Sequence, residues 1–385
     1  MKDEAEDSAL RHPSSFRPHP YSVTVIGAGP AGSVASILLA RRGWRVTLIE
    51  QHRFPRDKVC GECLSALGIE VLTRARLGNE IAALRPTPLR RSIFIAPGGQ
   101  SVSFDLPAEM WGITRDVLDE RLLAAARDAG ATVLQLHRCE HVEGGVCPTV
   151  RARDLRTNEI VQFSPHYVIV ADGKAAFGAV RPRTTGDFGL KAHFTDVDAP
   201  ADAIVLAGAD GHYVGLAPVG RGTWNAALSV PQRRLRACDG DGDRVLDAMK
   251  DENESLASML RDAKRSGDWL AAPLPRFGVA KHWPRRVIPI GNAAAALEPI
   301  GGEGMGLAMR SAELTAGALD DAAQRGAEPD VDALRRAYNA LWKMRARACR
   351  ATAWAISSPT MADLAVQAAS SSETIARMGM KVVGK

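Results

Sequence analysis

Apolar positions along this chain fall into two textures. Over residues 22–50 a β-rich run (22–26), a stretch of helical composition (30–42) and a second apolar run (45–50) follow one another. That is a strand, glycine turn, helix and strand, and it predicts a parallel sheet. The apolar residues of 93–104 fit two short strands around the turn Pro97-Gly98-Gly99. Helical periodicity returns over 114–129, with Val117, Leu118, Leu122, Leu123 and Ala126 on one face and Gly130 ending it. Residues 132–136 and 167–171 read as further strands of the first sheet, separated by a polar, hairpin-like segment. From about 181 to 283 the texture changes to short alternating runs at 190–194, 203–206, 213–218 and 223–230, which a separate antiparallel sheet explains most simply. Helical segments follow between 244 and 264. A buried-strand signature returns at 287–290, then helices are expected over 304–323, 330–356 and 361–378. The pattern predicts an α/β nucleotide-binding unit interrupted by a sheet domain, with helices at the C-terminal end and no internal repeat.

Composition narrows the classes without naming one. A chain of 385 residues with 46% hydrophobic content can bury a substantial core. Lys and Arg exceed Asp and Glu by 49 to 44, but the cations are scattered and aromatic residues make up 5%, so a nucleic-acid partner is not expected. Residues 1–20 are polar, lack the apolar core of a secretory signal and read as a disordered tail. With no apolar run near the roughly 18–20 residues of a membrane span, the expectation is a cytoplasmic protein. Cys60, Cys63, Cys139, Cys147, Cys238 and Cys349 are too dispersed for a disulfide scaffold.

Gly27-x-Gly29-x-x-Gly32 lies between the first predicted strand and helix, with Pro30 and Ala31 inside it, and Glu50 falls 18 residues beyond the third glycine. The first glycine permits the tight turn, the second lets a pyrophosphate approach the backbone, and the third allows close packing of helix on strand. The helix N-terminus offers N–H donors to the anion. Glu50 suits ribose hydroxyls, and its charge argues against a 2'-phosphate.

The residues after Glu50 separate FAD from NAD. GAGPAG, then Glu50, then FPRDKVCGE resemble the start of the geranylgeranyl-reductase-like flavoproteins, within the superfamily of aromatic flavin monooxygenases and flavin-dependent halogenases. Three later segments resemble that superfamily in its order: residues 113–133 with Arg115 near the start, 168–178 with Asp172 and Gly173, and 287–314 with Asn292 and the run Gly301-Gly302-Glu303-Gly304-Met305-Gly306. The resemblance implies a Rossmann-type FAD-binding domain with a parallel sheet at 21–80, 111–180 and 284–330. It implies an antiparallel substrate domain at 81–110 and 181–283, and C-terminal helices at 331–385. It implies FAD contacts from Gly27, Gly29, Pro30, Ala31, Gly32, Glu50, Arg115, Asp172, Gly173, Asn292, Gly302, Gly304, Met305 and Gly306. Arg56 and Lys58 either reach cofactor phosphate or ribose or form a solvated basic loop. A glycine run ahead of a helix aims backbone N–H groups and the helix dipole at the flavin pyrimidine edge; the alternative is a plain loop. The family's Gly-Asp is Gly291-Asn292 here, an acceptor without charge, which predicts weaker FAD binding.

Cys60-Gly61-Glu62-Cys63 admits three readings: a flavin-side cavity, with Cys60, Gly61 and Glu62 as candidate catalytic positions; buried structural thiols; or a redox disulfide. It also has the spacing of half a zinc site, but no second half accompanies it, and no metal is expected. His193, His212 and Tyr213 are candidates for the substrate cavity, Trp224 for the core. Residues 343–350, KMRARACR, read as a solvated helix face, with membrane-surface contact as the alternative.

These residues lead to an FAD-dependent oxidoreductase acting on a hydrophobic or aromatic small molecule, polyketide- or isoprenoid-like, by hydride transfer at N5 or oxygenation through C4a. A monooxygenase using NAD(P)H and O2 is the alternative. A halogenase is less favoured because the WxWxIP motif is missing, and a flavin-binding scaffold without turnover is the non-enzyme reading. No second GxGxxG is present, so NAD(P)H would bind transiently or electrons would come from a donor protein.

Overall fold

Runs dominated by Val, Ile and Leu cannot be solvated on either side, so they pair in the middle of layers. In the computed structural model, which describes residues 21–173, 184–275, 277–280 and 282–371, five such runs form a wholly parallel sheet. Its order is Val287–Pro289, Tyr167–Val170, Ser22–Ile26, Arg45–Glu50 and Thr132–Gln135. Side chains alternate between its faces. Val23, Val25, Val46, Leu48 and Ile169 join the core under the helices Pro30–Arg41, Arg115–Asp128 and Gly304–Gln324. Ile26, Ile49, Val168, Val170 and Val287 face Cys139, Val150 and Ala152 of a small antiparallel sheet, His137–Glu143, Thr149–Asp154 and Ile160–Phe163. The polar hairpin-like segment is this covering layer. The tail at 1–20, the end of the Asp-Gly segment at 174–178 and the far end of the helix expected over 361–378 lie outside the described residues.

The second sheet has eight strands, in the order Lys264–Pro275, Thr184–Thr195, Thr223–Pro231, His212–Gly220, Ala203–Ala209, Thr87–Ile95, Ser101–Gly112 and Cys63–Leu64. The expectation of a purely antiparallel sheet is corrected at one seam, where Ala203–Ala209 runs parallel to Thr87–Ile95. The two strands come from separate stretches of chain with no hairpin between them, so no tight turn imposes antiparallel pairing. The short runs seen in the sequence are the apolar centres of strands up to 12 residues long, whose polar ends continue the ladder.

One face of this sheet packs Leu190, Ala192, Val214, Leu216, Ala226 and Leu228 against the helices Gly242–Glu252 and Glu254–Met259. Trp224 is in this core, 6% exposed. The other face turns toward the nucleotide sheet and the helix Val331–Ile356, which is followed by the helix Pro359–Ser371. The solvated face expected at 343–350 is half correct: Lys343, Met344, Arg347 and Arg350 are exposed, while Ala348 and Cys349 are buried and Arg345 turns inward toward Glu303.

The long helix and the sheet meet at Gly208, where a methyl group would lie 2.0 Å from the Ile356 carbonyl oxygen. Gly208→Ala is expected to destabilise the protein by about 1–3 kcal/mol through this overpacking, read as a lowered thermal midpoint.

Candidate functional site

The turn after strand Ser22–Ile26 sits where chain connections leave the parallel sheet in opposite directions, so the carboxyl ends of Ser22–Ile26 and Tyr167–Val170 open a crevice. Gly27 has φ +96°, and a methyl group on it would lie 2.6 Å from the Ala171 carbonyl oxygen. One on Gly32 would lie 1.8 Å from the Gly27 carbonyl oxygen. Both glycines therefore serve packing. Gly29 precedes Pro30 at the helix start, and no backbone crowds its Cβ position. The nearest atoms are Arg115 Nη2 at 3.8 Å and Arg56 Nη2 at 3.9 Å. Glu50 is buried, its Oε2 accepting from Ala28 N (2.8 Å) and its Oε1 from His52 N (2.9 Å), so it braces the turn as well as ending its strand.

Three cations converge on this crevice. Arg115 is buried and forms a two-pronged bond to Asp119, Nε to Oδ1 at 3.0 Å and Nη2 to Oδ2 at 2.6 Å. Burial opposes its charge, but Asp119 and the neighbouring Cys60 prevail and hold it above its usual range. Arg56 lies over the Phe54 ring at 4.7 Å, with Nη1 3.4 Å from Asp119, yet among the described residues its buried Nε and Nη1 have no hydrogen-bond partner. Lys58 Nζ comes within 3.0 Å of the Cβ position of Gly173, and burial together with Arg115 and Arg56 brings its amine down to about 8. Asp172 adjoins Gly27 across the crevice.

Beyond the cations the loop crosses the second sheet. Cys60 is half-buried, its Sγ accepting from Glu62 N (3.4 Å); buried Cys63 donates to the Gly61 carbonyl (3.3 Å), and burial raises its thiol. Both are free thiols. Glu62, expected at a cavity, is instead an internal tie: it is fully buried at φ +56°, and both oxygens are engaged. Oε1 accepts from Arg115 N (2.8 Å) and Lys191 Nζ (2.7 Å), and Oε2 lies 2.7 Å from His193 Nε2. Lys191, 1% exposed, also pairs with Asp57. Asn225, opposite His193 in the next strand, donates to the Cys60 carbonyl (3.1 Å).

Strand alternation decides the substrate candidates. Lys191, His193, Asn225 and Tyr213 project from the face away from the helix-backed core, together with the small residues Gly189, Gly215, Ala217 and Ala227. His212, one residue from Tyr213, must project from the other face; its Nδ1 meets the Asp210 carbonyl, and burial lowers its pKa. His212 is thus separated from the other two. Tyr213 is buried and donates to Glu298 Oε1 (2.7 Å).

The late glycine run divides similarly. Gly302 has φ +64° and faces Met110 and Cys63, and Gly304 has open space at its Cβ position. Met305 packs in the core, and a methyl group on Gly306 would meet Ser65 Oγ at 2.2 Å, so these two serve helix packing, not an open site. Ala31 likewise packs against Gly291, whereas Asn292 is exposed. Glu303 is buried 3.7 Å from Arg345, and its Oε2 has no hydrogen-bond partner among the described residues. Burial raises its carboxyl to about 7, against the pull of Arg345. Among the described residues no cluster of three or more potential metal ligands occurs.

Lys191, Asp119, Asn225 and Glu303 were not singled out by sequence reasoning. Two signals were available: Asp119 stands four residues after Arg115 on one helix, and Lys191 and His193 are two apart in the otherwise apolar run 188–194.

The profile of the FAD binding domain family matches residues 20–332. Menaquinone reductase of Mycobacterium tuberculosis is 28% identical over 77% of this chain and 76% of its own length. Kynurenine 3-monooxygenase of Stenotrophomonas maltophilia is 28% identical over 85% and 76%. Conditioned medium factor receptor 1 of Dictyostelium discoideum is 25% identical over 78% of this chain, which spans 63% of that protein. Among solved structures, a triple mutant of the flavin-dependent brominase Bmp2 has a TM-score of 0.80 at 19% identity, covering 94% of this chain and 95% of that one. A geranylgeranyl bacteriochlorophyll reductase-like protein from Thermoplasma acidophilum has a TM-score of 0.74 at 20% identity, covering 94% and 95%. These structural likenesses show a shared fold.

Two measurements test the buried charges. Lys191→Met strands Glu62 without its cation and is expected to cost about 3–5 kcal/mol in chemical unfolding. Combined with Glu62→Gln it should cost less than the sum; strict additivity would refute the link. Glu303 titrates at about 7 in the folded protein against an ordinary 4.5, so the folded state holds its proton more tightly. Its contribution is fully present below the ordinary value and is lost as pH rises through about 7, a change of about 3 kcal/mol. Glu303→Gln should flatten that part of the stability profile.

Proposed function

The chain belongs to the FAD binding domain family, and from that premise we propose that it is an FAD-dependent oxidoreductase acting on a hydrophobic or aromatic small molecule. One observation carries the reading: Arg56, Lys58 and Arg115 converge on the uncrowded side of the glycine turn, and buried guanidinium nitrogens of Arg56 lack a hydrogen-bond partner among the described residues. A buried donor without an acceptor is costly, and a pyrophosphate supplies two negative charges and several acceptors there.

The residues fit FAD. Gly29 and the N-terminus of Pro30–Arg41 would hold the pyrophosphate with Arg56 and Arg115. Glu50 would take ribose hydroxyls on its remaining lone pairs, and Lys58, Asp172 and Gly173 would flank the chain between the halves of the cofactor. Gly302, Gly304 and exposed Asn292 would line its flavin end. When bound, FAD supplies hydride exchange at N5 or oxygen transfer through C4a. Among the described residues, 21–62, 113–173 and 284–330 then form the cofactor domain, and the strands Cys63–Leu64, Thr87–Ile95 and Ser101–Gly112 join 184–275 in the substrate domain.

On the face of the second sheet that turns toward the nucleotide sheet, the small residues Gly215 and Ala227 suit a flat apolar substrate, with Tyr213 and His193 as its polar neighbours, while Gly189 is covered by Val59 and Ala217 packs with Cys63, Leu89 and Met110. Glu62 orients the His193 ring through Nε2. Cys60 borders the same region beside Arg115. Reduction of a quinone-like acceptor and hydroxylation of an aromatic one are both supported, since a menaquinone reductase and a kynurenine 3-monooxygenase are equally similar to the chain. Electrons come from NAD(P)H bound transiently or from a donor protein. Six free cysteines suit the reducing cytoplasm, and no helix among the described residues is long and apolar enough to cross a membrane.

The purified protein should take up one FAD per chain. Arg56→Ala removes charge-assisted hydrogen bonds and should raise the dissociation constant about 10–100-fold at unchanged circular dichroism. Bleaching by NAD(P)H that an aromatic substrate accelerates would select the monooxygenase; dithionite reduction followed by reoxidation with a quinone would select the reductase. A folded protein that neither contains nor takes up FAD would overturn the reading.

A further inference from the structure

The helix Val331–Ile356 has two dissimilar faces. Its inner face is apolar and committed: Leu334, Tyr338 and Trp342 join the main core, and Cys349, Ala353 and Ile356 pack with Tyr213 and Ile300. Its outer face carries Arg336, Ala340, Lys343, Arg347, Arg350 and Trp354, spaced four, three, four, three and four residues apart, and none of them is buried. At that spacing they form one ridge, about 27 Å long at the helical rise. Met344 beside the ridge is 70% exposed and Trp354 at its end 61%; Leu364 of the following helix is 53% exposed. From position 333 to position 358 the sequence contains no Asp or Glu.

We propose that this outer face docks the protein on an anionic lipid surface. Arg336 at the start of the ridge pairs with Asp330 (3.8 Å), but Lys343, Arg347 and Arg350 follow without interspersed acids and match a negatively charged plane, and exposed tryptophan, methionine and leucine match the apolar layer beneath the headgroups. The same row argues against a symmetric contact between two copies, which would set cation against cation. The inner face of this helix packs on Ile300 and carries Arg345 toward Glu303, next to the late glycine run. A membrane on the outer face therefore lies about one helix diameter, ~10 Å, from that run. Exchange of an apolar substrate between bilayer and site rests on the oxidoreductase reading; the docking itself does not depend on it.

The test is co-sedimentation of the full chain with phosphatidylcholine vesicles, with and without phosphatidylglycerol. Binding is expected only with the anionic lipid and is lost at high salt. Lys343→Gln/Arg347→Gln should weaken partitioning about tenfold or more, and Trp354→Ser severalfold, with melting temperatures unchanged because none of the three side chains joins a core. Brominated acyl chains should quench tryptophan fluorescence in the native chain and less in Trp354→Phe. The proposal is overturned by failure to bind phosphatidylglycerol vesicles at low salt, or by binding that both variants retain. It is also overturned by a vesicle-free dimer that Trp354→Ser dissociates, or by retention on duplex DNA without vesicle binding. FAD uptake is measured separately, so a flavin-free chain that binds vesicles, or a flavin-loaded one that does not, shows which reading failed.

Discussion

A single buried carboxylate, Glu62, is the point on which the two halves of this molecule depend. It receives the backbone N–H of Arg115 from the helix under the parallel sheet, and Lys191 Nζ from the second sheet, with His193 at its other oxygen. A carboxylate at 0% exposure is tolerable only with such a set of partners. Its left-handed backbone, φ +56°, bends the chain so that Cys63 and Leu64 can add a last strand to the second sheet. The cofactor loop and the substrate-side sheet are thereby held in one register.

That tie explains how so many cations survive at the glycine turn. Arg115 is fixed from both ends, its backbone by Glu62 and its guanidinium by Asp119. Asp119 also lies 3.4 Å from Arg56, so one buried acid stabilises two arginines and leaves part of Arg56 without a hydrogen-bond partner among the described residues. The local charge is positive on the cofactor side. Near the substrate side Asp57, Glu62 and Lys191 compensate one another, and small residues line the sheet. An anionic dinucleotide and an apolar substrate are each offered the surface that suits them.

Much of this was legible in the sequence because it is local. The run from Ser22 to Glu50 carries its glycines, helix start and acid in chain order, and its strands lie where the β-branched residues are. Seams between distant segments left weaker traces. The parallel pairing of Ala203–Ala209 with Thr87–Ile95 has no turn to announce it. Lys191 reads as an ordinary strand lysine until Glu62, 129 positions away, is brought against it. The separation of His212 from Tyr213 was readable from the two-residue period alone. Gly306 shows the opposite limit, since a glycine needed by a neighbouring helix and one needed by a ligand look alike in sequence.

A crystal structure of the chain with FAD would test the central claim most directly. The account predicts the pyrophosphate within hydrogen-bonding distance of Arg56 Nε or Nη1 and of the backbone at Gly29, with the Lys191–Glu62–Arg115 link unchanged and the flavin beside the face of the second sheet that carries His193 and Asn225. A cofactor bound elsewhere, or bound there with Arg56 turned to solvent and the Glu62 link broken, would contradict it.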